Sequence, residues 1–193
     1  MKLTRWGLLL LVTGTIYSCK QPASHPAGTP AKDTTVFYPV TNFLKNQISN
    51  VDSTPYFIYW ISIRNHKRDS TVVSKMLFDS LAAPFIAYNI ADTALKKFYT
   101  EAVFDDQTTR SYTFSYRTTD SNMVVQGIDI LLNRETQQVK RTFMNTFQNF
   151  GDSSVTLKMG WKPDRNFYIN RITQYPDGKE EIVQNRVVWD DRD

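Results

Sequence analysis

The sequence predicts an α+β fold. It consists of one curved antiparallel β meander of about six to eight strands, with two or three helices packed at its N-terminal side. Three observations carry this expectation. Apolar residues at helical spacing are confined to the stretch between Pro39 and Phe98. From Glu101 onward the pattern changes to short runs alternating with period two. Turn signals such as Pro176-Asp177-Gly178 separate those runs.

The elements follow in order. Pro39 suits a first helical turn, and Val40, Phe43, Leu44, Gln47, Ile48 and Val51 continue with helical spacing to an end near Asn50. Tyr56 to Ile61 is apolar on both faces and reads as a central strand covered on each side. Arg64 to Asp69 is a polar turn, and Ser70 to Met76 returns as the partner strand. Phe78 to Tyr88 is a mixed, Ala-rich segment broken by Pro84, and Asp92 caps a short helix through Leu95 and Phe98. Tyr112, Phe114 and Tyr116 alternate with Thr113, Ser115 and Arg117, as a half-buried strand does. Ile128 to Leu132, the turn Asn133 to Thr136, and Val139, Arg141 and Phe143 read as a hairpin. Val155, Leu157, Met159 and Trp161 point one way from the next strand, and Phe167 to Tyr175 with Glu181 to Trp189 make the last hairpin. With 12 Phe, 9 Tyr and 3 Trp, the region from 36 to 193 can fill the core of one domain.

The chain before that region has a different character. Lys2 and Arg5 give a positive start, Trp6 to Val12 is a compact apolar core, and Thr13 to Ser18 descends to a small residue before Cys19, the only cysteine. This is the order of a secretory signal peptide over 1–18. Its apolar core is too short for a membrane span, which needs about 20 residues. Residues 19–35, rich in Pro, Ala, Thr and Gly, form a flexible tether, and His25 within it is inert. Losing Lys2 and Arg5 with the signal lowers the formal net charge of +4 by two. With no basic stripe or binding motif, nucleic acid is not a partner. No second cysteine exists for a disulfide.

Ile16-Tyr17-Ser18-Cys19 resembles the lipobox of bacterial lipoprotein precursors, with Tyr17 bulkier than the family's usual small residue. The resemblance implies diacylglycerol on the Cys19 sulfur, a palmitate-type acyl chain on its new amino terminus, and membrane attachment through those chains. Each buried CH₂ adds about 0.8 kcal/mol, so two or three chains hold durably. Lys20 stands where an Asp favours the inner membrane, so the resemblance implies the outer membrane, with the body facing the periplasm. Phe37 to Lys45 and Ala82-Ala83-Pro84-Phe85 are similar to segments of small lipoproteins of Bacteroidota, a group that supplies no catalytic residues to carry over.

The body offers little chemistry. His66, in a turn among Arg64, Lys67 and Arg68, lacks the nucleophile and elbow of a hydrolase triad. Metal ligands at useful spacing are missing: Asp120 with Asn122, and Asp190, Asp191 and Asp193, make at most weak calcium contacts. No metal or other cofactor is expected. The remaining catalytic option is a carboxylate pair drawn from Glu101, Asp105, Asp106 and Asp129, as in glycoside hydrolysis. A polar turn at Asp105-Asp106-Gln107-Thr108 and a solvent-facing Asp129 explain these residues more simply. The leading expectation is a non-enzymatic binding or interaction module in the cell envelope, for an apolar ligand or a partner protein. Trp60, Tyr112 and Trp161 are its candidate binding residues.

Overall fold

The computed structural model describes residues 36–190. The signal, Cys19, the tether, and Asp191 and Asp193 lie outside the described residues.

The body is a single antiparallel sheet of nine strands with few helices. Helix α1 (Val40–Ser53) leads into β1 (Ile58–Arg64) and β2 (Lys67–Val73). Then come α2 (Lys75–Ala82), a 3-10 turn at Ala83–Phe85, and the one-turn α3 (Thr93–Lys96). The strands β3 (Tyr99–Asp106), β4 (Ser111–Thr118), β5 (Val125–Asn133), β6 (Val139–Asn149), β7 (Ser154–Lys162), β8 (Asn166–Gln174) and β9 (Glu180–Val188) follow as an unbroken meander. The order across the sheet is β2-β1-β9-β8-β7-β6-β5-β4-β3, so the first hairpin closes onto the last strand.

The meander agrees with the sequence, but α+β with six to eight strands is only roughly right, because the body is β-rich and its sheet has nine strands. The apolar run at Tyr56–Ile61 is not a central strand with two covered faces. Strand β1 lies second from the edge, Ile58 is buried on one face, and Tyr59 is 47% exposed on the other. The expected helix ending near Asn50 runs one turn further, with Pro39 immediately before it. Ser74 and Asp92 cap α2 and α3, accepting hydrogen bonds from the Leu77 and Ala94 N–H groups. His66 sits with positive φ in the β1–β2 turn, as its polar surroundings suggested.

Alternation assigns the faces. Tyr116, Ile128, Ile130, Met144, Met159, Trp161, Phe167 and Val187 point to the helices and are buried. An aromatic cluster fills that layer: the Trp161 ring stacks on Phe167 at 5.0 Å, and Phe85 meets both edge-on at 5.2 and 5.4 Å. Phe78 packs against Phe167 and Trp189. Proline at 84 tightens the chain after α2 into the turn that delivers Phe85. At the other end Phe37 lies 4.7 Å from the Tyr116 ring, and the Tyr116 hydroxyl accepts a hydrogen bond from the Tyr38 N–H at 2.8 Å. Burial, partly offset by that bond, pushes the Tyr116 phenol well above its ordinary range, and the nearby Glu101 carboxylate adds to the rise.

A bulge in β6 sets the other face. Val139 pairs with Leu132 and Arg141 with Leu131, leaving Lys140 as the extra residue. Its ammonium donates to Thr109 O and Ser111 Oγ. Val139 therefore faces the core while Arg141 and Phe143 face away, although the sequence spacing gives all three the same parity.

Candidate functional site: a cationic groove on the uncovered sheet face

Among the described residues, one face of the sheet carries the helices and the other is bare. On the bare face a row of cross-strand partners runs Ile61, Arg186, Tyr168, Gly160 and Phe143. Beside it stand Ile63, Gln184 and Asn170 on one side, and Asn166 and Lys162 on the other. With Arg68 from β2 and Arg141 from β6, these residues other than Gly160 and Phe143 line an open groove of about 590 Å³. Ile61 and Arg186 also border a smaller hollow with Tyr59, Ser70 and Val188.

Gly160 makes this surface possible. A Cβ there would come within 2.4 Å of Tyr168 Cε1, so only glycine lets the tyrosine ring lie across β7. The same device recurs at Gly127, where a Cβ would stand 3.0 Å from Arg117 Cδ and Nη1. There, however, the charge is answered. Arg117 Nη2 donates to both Asp129 carboxylate oxygens at 2.8 Å, and Ser115 donates to Asp129 at 2.7 Å.

The groove is different. Arg68, Arg141, Lys162 and Arg186 line it without an Asp or Glu among them. None of the four makes an ion pair or a side-chain hydrogen bond among the described residues. Like charges gathered this way repel, a cost that an anionic ligand would relieve.

The residues singled out from the sequence do not come together. Trp161 is 0% exposed in the aromatic cluster, so it is a core residue and not a binding residue. Trp60 faces the helix side of β1, half-buried, and its indole N–H donates to Asn185 Oδ1 at 3.0 Å. It stands in one row with Val187, Phe167 and Trp161, three strand spacings and about 14 Å from the last. Tyr112 lies on β4 with the Arg134 guanidinium over its ring at 5.7 Å. The inward aromatic sets serve packing first.

The carboxylates are also dispersed. Glu101 and Asp105 share one face of the edge strand β3, about 13 Å apart along it. Asp105 pairs with Arg134 at 3.1 Å. Asp106 holds its own turn: it accepts from the Thr108 hydroxyl at 2.6 Å, the Thr109 hydroxyl at 2.7 Å, and both backbone N–H groups. These bonds, the Thr108 hydroxyl first, pull its carboxyl down to about 2. Asp129 is on the bare face, committed to Arg117. Among the described residues no three His, Cys, Asp or Glu side chains gather to hold a metal ion. No helix among them is long and apolar enough to cross a membrane.

Sequence reasoning passed over the groove because its residues come from five strands and the bare edge strand β2. The signal was present in part: Asn166, Tyr168 and Asn170 alternate with buried Phe167 and Ile169, and Gln184 and Arg186 alternate with half-buried Asn185 and buried Val187. Register, which brings them side by side, is not written in any one strand. No protein-family model, curated protein or solved structure matches this chain.

Proposed function

We propose that this chain is a lipid-anchored envelope protein whose folded body is a non-enzymatic binding module, with the uncovered face of its sheet as the binding surface. The groove carries the reading: four cations unanswered among the described residues, the amides of Asn166, Asn170 and Gln184, and a tyrosine ring converge on a face that no described element covers. Of the two modes expected, surface recognition is favoured over an enclosed apolar ligand. What supports this is the helix–sheet layer, where Phe78, Phe85, Trp161 and Phe167 sit in mutual contact with no exposure. Attachment through acyl chains on Cys19, at the outer membrane and facing the periplasm, belongs to the same proposal and rests on the residues around Cys19.

Two measurements test it. Cys19→Ser is expected to abolish fatty-acid labelling and move the protein from the membrane to the soluble fraction. Membrane retention of that variant, with no label on the wild type, refutes the anchor. For the module, the protein is solubilised from its native membrane and its co-purifying molecules are compared with those of an Arg141→Glu, Arg186→Glu double variant. Loss of a molecule in the variant is the expected result, and identical sets from both refute the assignment of the groove.

A further inference from the structure

We infer that the groove binds an acidic oligosaccharide, a hydrated sugar chain bearing carboxylate or phosphate groups. This rests on the reading of the uncovered face as the binding surface.

Charge comes first. Arg64, Arg110, Arg117 and Arg134 each meet a carboxylate, on Glu181, Glu135, Asp129 and Asp105 respectively. Among the described residues Arg68, Arg141, Lys162 and Arg186 meet none, and they are collected in one depression. A planar guanidinium matches carboxylate and phosphate oxygens in pairs, which suits three of the four positions.

Extent comes second. From Arg68 on β2 to Arg141 on β6 the groove crosses five inter-strand steps, about 24 Å at about 4.8 Å each. Cations at both ends of such a track fit charges distributed along a chain, and a single small anion would leave most of them unanswered. Between the ends lie Asn166, Asn170 and Gln184, whose amides both donate and accept, as sugar hydroxyls require. Ile61, Ile63 and the Tyr168 ring supply apolar ground for the C–H faces of the rings.

Shape and backbone weigh against other anions. The groove is open to solvent along its length, so an acyl chain laid in it would stay wet and gain little from burial. Strands β1, β9, β8 and β7 are paired on both sides, so their backbone groups are spent and an acidic peptide cannot join as an added strand. Tyr168 is the one aromatic ring in the lining, where single-stranded nucleic acid calls for a succession of stacking rings.

The test titrates the full chain, in mild detergent, with an oligogalacturonate and with a phosphorylated oligomannose. Unphosphorylated oligomannose and poly-glutamate are the comparison probes, and calorimetry reads the affinity. At least one acidic saccharide is expected to bind about tenfold or more tightly than the neutral one, with affinity falling as salt rises. The better of the two identifies the anion. Arg186→Glu and Arg141→Glu are each expected to weaken binding about tenfold, and Tyr168→Ala about fivefold. Arg171→Glu, the same charge change on the opposite face of β8, is expected to stay within about twofold. Equal binding of neutral and acidic saccharides overturns the inference, as does an equal loss with Arg171→Glu. If poly-glutamate binds in their place and Arg186→Glu abolishes it, the saccharide is wrong while the groove remains the binding surface. If no probe binds and the co-purifying molecules are the same with and without the groove cations, both readings fall.

Discussion

Replacing Phe85 by alanine tests whether the short turn after α2 is a plug or an ornament. Phe85 has no exposed surface, and its ring is held edge-on by Trp161 at 5.2 Å and by Phe167 at 5.4 Å. Those partners belong to β7 and β8, neighbouring strands inside the sheet, so neither can slide far to fill the space. A cavity lined by fixed rings collapses poorly, which places the cost at about 3–5 kcal/mol. Against a total stability of about 5–15 kcal/mol, that is a large share. For a body of this size each kcal/mol moves Tm by about 2–4 °C, so a fall of about 6–20 °C is expected. Thermal unfolding followed by far-UV circular dichroism measures it, with the near-UV signal reporting the aromatic cluster. Phe57→Ala is the comparison: Phe57 is 76% exposed, and its removal should stay within about 0.5 kcal/mol. A fall of less than about 2 °C for Phe85→Ala, or equal falls for both variants, refutes the packing argument.

Three further outcomes follow from buried or turn-holding polar groups. Tyr116→Phe deprives the Tyr38 N–H of its acceptor and should cost about 1–3 kcal/mol in a denaturant titration; an unchanged midpoint removes the anchoring role of that bond. Thr142 is 0% exposed with a hydroxyl that has no hydrogen-bond partner among the described residues, so Thr142→Val should raise stability by about 1 kcal/mol, and a lower Tm contradicts this. Asp106 is held down from 3.8 to about 2, so its contribution is present above 3.8 and is lost as pH falls through about 2. Asp106→Asn should therefore cost more at pH 6 than at pH 2, and parallel Tm–pH curves for the two proteins rule this out.

Local pattern revealed most of the elements, because burial on one side of a strand leaves its mark at every second residue. Met159 and Trp161, Phe167 and Ile169 all face the core as alternation required. Two features escaped. Tyr56–Ile61 looked covered on both faces because Tyr59 and Ile61 are apolar, yet they belong to the floor of an open surface. Aromatic and β-branched residues favour strands irrespective of burial, so composition there overstated coverage. The bulge at Lys140 was also hidden, since a single extra residue reverses the facing of everything beyond it. Trp161 is a candidate from sequence only as one of many aromatic residues spread over the strands, while the groove depends on side chains ordinary in themselves. Arg141 and Arg186 gain meaning only from being neighbours without an acid between them.

The closure of β1 onto β9 also bears on when the body can fold. Trp60 finds Asn185 125 residues further along the chain, so the apolar strand β1 has no second neighbour until the last strand has been delivered. Contacts of such long sequence separation make folding slow. A polypeptide that cannot seal its sheet before its final strand emerges remains threadable until then, which suits the export proposed above. The same delay leaves the unpaired edge of β1 open to strangers, so the interval between arrival of the first hairpin and arrival of β9 is the stage at which an unfinished copy most needs a holding chaperone.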